Sequence, residues 1–161
     1  MQKAHQLAQS IIEARDRSPL QKSSDLSKLV EKVYGFKSKK VLPQIFQALR
    51  IAVNDEFGQL ADGLMAAERA LAPGGQLAVV TFHSLEDRSV KTFMKERSGD
   101  PSKMSRRLPG EPEVATPTFT TITRKAVTAQ KDELRANPRA RSAKLRAVAR
   151  NEQPPMTGGR K

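Results

Sequence analysis

The segment Thr81-Phe82-His83-Ser84 is the stretch of this sequence best placed to do chemistry. It ends the β-branched run QLAVVTF at 76–82 and runs straight into Leu85-Glu86-Asp87. In open α/β sheets, ligands bind beyond the carboxyl ends of strands, where the first free amides of the following helix can receive an anion. An imidazole at such an end can donate a hydrogen bond or orient a base. The residue types also fit a plainer role, in which His83 is a satisfied turn residue and Glu86 and Asp87 only serve a helix cap. His83 and Asp87 are therefore the candidate catalytic pair.

A second set of residues suits a polyanion. Arg106 and Arg107 lie in a proline-rich loop, Arg124 and Lys125 at a strand end, and Arg139, Arg141, Lys144 and Arg146 around the last strand, with Arg88 just after the histidine segment. Such side chains contact phosphates and position a nucleic acid without reading its sequence. The charge is unevenly distributed: residues 1–87 hold 11 basic and 10 acidic side chains, residues 88–161 hold 18 and 7, so nearly all of the net +12 is in the second half. A small chain this basic attracts polyanions through its summed field, nucleic acid first among them. Phe119 is the sole aromatic near these residues and Tyr34 is distant, which gives base stacking little support.

Other chemistries are absent. The chain has no cysteine, which excludes disulfides and thiolate zinc sites, and its two histidines, His5 and His83, are too few for a histidine-rich metal site. It contains no GxGxxG, GxxxxGK[ST] or HExxH string. Gly74-Gly75 follows a helix and precedes a strand, the reverse of a dinucleotide loop. No apolar run approaches the roughly 18 residues that span a bilayer, and the start lacks a secretory apolar region. The expectation is a soluble, cytoplasmic protein with no metal and no membrane partner.

Several elements must position these groups. Leu7, Ile11 and Ala14 make one helical stripe over 4–15, with Ile12 alongside, and Leu26, Leu29, Val30 and Val33 make another over 25–33. Ser23 or Ser24 suits the N-cap of the second helix, and Gly35 suits a left-handed C-cap. Lys37 to Lys40 reads as a polar connector and Pro43 as a residue of the next helix's first turn. Apolar positions then recur from Leu42 through Phe46, Leu49, Val53, Phe57, Leu60 and Leu64 to Leu71, with Gly58 and Gly63 as possible interruptions, and Pro73-Gly74-Gly75 closes the segment. The unbroken apolar run 76–82 predicts a strand covered on both faces, as in a parallel sheet. Ser84 and Asp87 fit a capping box for a helix to about Arg97, on which Val90, Phe93 and Met94 are buried. Helix, turn, strand and capped helix make one αβα unit of a doubly wound sheet. Residues 98–117 predict a surface loop, 118–127 a strand, 131–136 a short helix and 143–150 a strand. That last strand carries Leu145, Ala147 and Ala149 on one face and Lys144, Arg146 and Arg150 on the other. The two strands are expected to pair antiparallel at a sheet edge, and 151–161 to be a disordered tail.

The strings FQALRIAVNDE (46–56), LAPGGQLAVVTFHSLEDRSVKTFMKE (71–96), ITRKAV (122–127) and NPRARSAKLRAVAR (137–150) together resemble the bacterial 16S ribosomal RNA (cytosine-N4)-methyltransferase family. The resemblance implies an α/β fold, a partial Rossmann-like class I methyltransferase sheet that uses S-adenosyl-L-methionine. Residues 1–36 would be a remnant of the family's helical insertion and 37–150 the C-terminal half of the methyltransferase domain. It places Gln47, Arg50 and Asn54 on one polar helix face directed at the donor or RNA cleft. It implies 16S rRNA or the small ribosomal subunit as partner. In the intact enzyme the cytosine amine would attack the sulfonium methyl in line, with alignment supplying most of the catalysis. The Gly-rich donor loop belongs to the half of the family pattern that has no counterpart here. The chain alone is therefore expected to be inactive and to self-associate through exposed core, and a non-catalytic RNA-binding fragment or gene remnant is the alternative.

Overall fold

The computed structural model describes residues 2–99 and 116–156, and these divide into two compact units, 1–56 and 57–161. The boundary expected at residue 36 falls inside the first unit, because the third helix packs on the second.

The first unit holds α1 (Gln2–Arg17), α2 (Ser23–Tyr34), a 3₁₀ turn (Gly35–Lys37) and α3 (Ser38–Asn54). Leu7, Val30 and Val33 form its buried centre, and Ile11, Leu26, Leu29, Leu42 and Ile45 pack around them. The two predicted stripes thus meet, while Ile12 turns outward. Neither Ser23 nor Ser24 caps α2. The Asp25 carboxylate does so instead, accepting the backbone N–H of Lys22 at 3.0 Å. Gly35 follows the helix with a positive φ of 58°, but its ψ of −130° lies outside the left-handed helical region expected of the cap. The predicted polar connector is mostly helical: α3 starts at Ser38, which is buried, and Pro43 stands in its second turn rather than its first. One missing N–H that close to the helix start removes a single backbone bond.

The long apolar series 42–71 does break, though not at a glycine. Asp55 takes the left-handed conformation (φ 48°, ψ 44°) and donates its N–H to Ile51 O, ending α3. A short polar side chain tolerates that region better than a branched one. Both Gly58 and Gly63 lie inside α4 (Glu56–Ala70).

The second unit contains α4, β1 (Gln76–Thr81), α5 (Ser84–Arg97), β2 (Phe119–Thr121), β3 (Val127–Thr128), α6 (Lys131–Ala136), a 3₁₀ turn (Pro138–Ser142) and β4 (Lys144–Arg150). It is a mixed α/β arrangement, a small sheet flanked by helices, consistent with part of a Rossmann-like class I methyltransferase fold. The sheet order is β1-β4-β2, with β3 also on β4. Two expectations are corrected. The last strand is central among the described strands rather than at an edge, and every pairing among them is antiparallel, that of β1 included: Gln76 faces Ala149 and Thr81 faces Lys144. β1 is also not covered on both faces. Leu77 and Val79 pack on the core, whereas Val80 is 49% exposed.

The predicted strand 118–127 is split by a bulge. Ile122 and Thr123 both donate their N–H groups to Ala147 O at 3.1 Å, and Thr123 Oγ1 accepts the Ala147 N–H at 2.8 Å. Two residues thus oppose one, and a hydroxyl replaces a ladder carbonyl. The turn into β1 is tied to the end of β4: Gly74 N–H donates to Arg150 O (2.8 Å) and Arg150 N–H to Gly75 O (2.7 Å).

Leu64, Val90, Phe93, Met94, Phe119 and Val148 make the apolar core of this unit. Beside it lies a buried carboxylate. Glu68, 1% exposed, accepts Arg97 Nε at 2.7 Å and Thr118 Oγ1 at 2.5 Å, and its second oxygen also takes the Met156 N–H at 3.3 Å. Arg150, also buried, donates to Glu68 O and Thr118 O. The expected tail is therefore held at least to Met156, with Asn151 N–H bonded to Thr118 O at 2.8 Å. The Arg97 guanidinium lies 3.9 Å from the Phe93 ring centroid.

Burial pushes the Glu68 pKa up, but the hydrogen bonds from Thr118 and Arg97 and the arginine's charge outweigh it and hold the carboxyl below its ordinary value. A depressed pKa stabilises the fold above the unfolded-state value and loses that contribution as pH falls through the folded-state value. Replacing Glu68 by alanine should cost about 3–5 kcal/mol, since it strands a buried guanidinium, and should appear as a lower urea midpoint at unchanged slope. The wild-type chain should lose stability as pH falls below about 4.5, and Glu68→Gln should flatten that acid limb in pH-dependent urea titrations.

Candidate functional site at the end of β1

The carboxyl end of β1 leads into α5 through His83, whose backbone is extended (φ −139°, ψ 162°) and which is itself the N-cap. The capping box sits one residue earlier than the sequence reading placed it. His83 Nδ1 accepts the Glu86 N–H at 3.3 Å, and Glu86 Oε2 accepts the N–H groups of Phe82 and His83 at 2.9 and 3.3 Å. Glu86, not Asp87, reaches back, because it stands three positions after the cap.

With Nδ1 accepting, the neutral ring carries its proton on Nε2. That nitrogen is buried, 3.0 Å from Glu86 Oε1 but out of line for a hydrogen bond, so it has no such partner among the described residues. The Phe57 ring meets the imidazole edge-on at 6.3 Å between centroids. Phe82 and Leu85 on either side are exposed.

Asp87, freed from capping, turns to β4. Arg146 grips it with two bonds, Nε to Oδ1 at 2.8 Å and Nη2 to Oδ2 at 3.2 Å, and Lys144 Nζ adds a third at 3.3 Å. The hydrogen bonds from Arg146 prevail over the opposing desolvation, and with the charges of Arg146 and Lys144 they hold the Asp87 carboxyl below its ordinary pKa. Asp87 is thus an ionised anchor. Two cations share this carboxylate, while the carboxylate of Glu86 stands at the same strand end, beside His83.

The sequence reading put Lys144, Arg146 and Arg150 on one face of the last strand and offered the first two to phosphates. Instead that face meets the helices: Lys144 and Arg146 pair with Asp87, Val148 enters the core and Arg150 is buried. The other predicted basic residues lie on the surface. Arg88 is exposed on α5, Arg124 and Lys125 are exposed between β2 and β3, and Arg139 and Arg141 are exposed in the 3₁₀ turn before β4. Arg106 and Arg107 lie outside the described residues. Gln47, Arg50 and Asn54 are on α3 in the first unit, where Arg50 holds Glu56 through Nε (2.7 Å) and Nη2 (3.1 Å) and Asn54 Nδ2 is 3.5 Å from Glu56 Oε1.

The reading from sequence missed the roles of Glu68 and Arg97, and had Glu86 in the helix cap only as the plainer alternative. Glu68 and Arg97 carry a signal in their spacing: Glu68 falls on the stripe Leu60, Leu64, Leu71, and Arg97 on the stripe Val90, Phe93, Met94. A charge in register with apolar positions marks a buried partner. No helix among the described residues is long and apolar enough to cross a membrane.

The chain is 51% identical over 154 residues, 94% of its length, to the ribosomal RNA small subunit methyltransferase H of Paramagnetospirillum magneticum, of which it covers 48%. The proteins of that name from Rhizobium meliloti (52% identical, 45% covered) and Caulobacter vibrioides (49% identical, 50% covered) match the same share of the chain. The chain thus spans about half the length of these relatives. Its residues 1–151 fit the sequence pattern of the MraW methylase family, and the chain belongs to that family.

Proposed function

We propose that residues 37–150 are the C-terminal half of an S-adenosyl-L-methionine-dependent methyltransferase domain, with residues 1–36 the end of a helical insertion. On this reading the whole protein is a cytoplasmic enzyme that methylates N4 of a cytidine in 16S ribosomal RNA, as free RNA or in the small subunit. The observation that carries the proposal is 51% identity across 94% of the chain to a protein named for ribosomal RNA methylation.

The described residues do not form a donor-binding loop. The paired glycines among the described residues, Gly74 and Gly75, have their backbone groups committed: Gly74 N–H to Arg150 O, Gly75 N–H to Ala72 O, and Gly75 O to the Arg150 N–H. The chain's own part in the reaction is therefore on the RNA side. His83 is assigned a positioning role beside the target base, its ring fixed by the Glu86 amide. Asp87 is a positioning residue, keeping Arg146 and Lys144 beside the strand end. Gln47, Arg50, Asn54, Arg88, Arg106, Arg107, Arg124, Lys125, Arg139, Arg141, Lys144 and Arg146 are proposed to face the RNA. That the described residues form no donor loop favours a second reading, a non-catalytic RNA-binding chain.

A chimera decides between them. When this chain replaces the matching half of the Paramagnetospirillum relative, the product should methylate N4 of a cytidine in 16S rRNA, scored by nucleoside mass spectrometry. A folded chimera that binds donor and RNA but transfers no methyl group leaves only the second reading. In the active chimera, His83→Ala should lower kcat, because the cap that fixes the start of α5 beside the target base is lost. Asp87→Asn should act mainly on KM for RNA, raising it several-fold, because it releases two cations.

A further inference from the structure

A groove of about 840 Å³ runs between α5 and the strands β2 and β4 of the second unit. Its volume is toward the upper end of the range for small-molecule sites. Lys91 and Lys95 line it from α5, Arg124 from beyond β2 and Arg146 from β4, and no acidic residue is among the described residues that line it. The hydroxyls of Thr121 and Thr123 stand on the strand side. Ser98, at the end of α5, also lines it, and its buried Oγ has no hydrogen-bond partner among the described residues.

Three features of this groove choose its ligand. Lys91 and Lys95 are one helical turn apart, about 6 Å along the axis, so their charges are spread along the groove rather than focused on one point. Arg146 keeps donors to spare: of its five N–H groups Asp87 takes one on Nε and one on Nη2. The one aromatic residue lining the groove, Phe119, is 1% exposed and offers no face for a base to stack on. Spaced cations with hydroxyls and no stacking platform suit a phosphodiester backbone and not its bases.

We propose that this groove binds the backbone of an RNA strand without regard to sequence, with Lys91 and Lys95 as phosphate contacts alongside Arg124 and Arg146. The proposal rests on the RNA-directed function given above and adds to it a track along α5, apart from the helix start at His83.

The test is fluorescence-anisotropy binding of the full chain to single-stranded 16S rRNA fragments and to oligo-U and oligo-A over a range of salt. The triple variant Lys91→Ala, Lys95→Ala, Arg124→Ala should bind at least tenfold more weakly. Its plot of log affinity against log salt should be shallower by about 2, since three contacts at about 0.7 each are lost. Oligo-U and oligo-A should bind the wild type alike. A control of equal charge change on α2 and α3, Lys28→Ala, Lys32→Ala, Lys40→Ala, should weaken binding by a smaller factor and leave the slope closer to wild type. Photo-crosslinking of wild-type chain to 4-thiouridine RNA should label the peptide holding Lys91 and Lys95, which covers the case of a misfolded variant. Equal losses in the two variants, or crosslinks elsewhere, overturn the groove while RNA binding stands. Absence of salt-dependent RNA binding by the wild-type chain overturns the groove and counts against the RNA-directed function as well.

Discussion

The second unit depends on one buried carboxylate. Glu68 on α4 is closed off from water and would be intolerable there unpaired. It is satisfied by Arg97 from the end of α5, Thr118 from the start of β2 and the backbone of Met156, while Arg150 of β4 bonds the Glu68 carbonyl. Residues far apart in the chain must therefore be brought together before the charge can be buried. Apolar contacts among Leu64, Phe93, Phe119 and Val148 supply the non-directional part of the stability. The carboxylate supplies direction, because its lone pairs accept only from particular places.

β4 transmits that constraint to the candidate site. Its alternate residues 144, 146, 148 and 150 face the helices, and antiparallel pairing with β1 sets which end of β1 each one meets. Arg150, bonded to the main-chain carbonyl of Glu68 on α4, belongs at the start of β1, whereas Lys144 and Arg146 come out at its finish, against Asp87. A one-residue slip in this register would turn every one of these side chains to the other face. The cations that hold Asp87 are thus set by the same strand that answers Glu68, and the groove inherits Arg146 from that register.

Much of this was legible in the residue order, and the misreadings have physical causes. The box at the start of α5 is displaced by one because histidine accepts an amide through Nδ1 much as serine does through its hydroxyl, and the pattern of polar residues fits either start. Asp55 interrupts the helical series where glycines seemed better suited, since a left-handed residue needs a small penalty and not an absence of side chain. The single strand foreseen at 118–127 is divided because Thr123 substitutes its hydroxyl for a carbonyl, a choice invisible until Ala147 stands opposite it.

Local order in the chain determined the helices, the β1 and β4 strands, the glycine turn at 74–75, the concentration of positive charge in the second half and the family strings. These depend on periodicity, backbone preference and composition, which act over a few residues or sum over the whole chain. Partnership was decided only in three dimensions. That Asp87 holds Arg146 instead of capping a helix, that Arg150 is buried, and that β1 lies antiparallel to β4 all follow from which distant groups can satisfy a charge or an N–H once water has been removed. Sequence spacing states which side a residue faces, whereas the energy of a buried charge depends on what waits on that side.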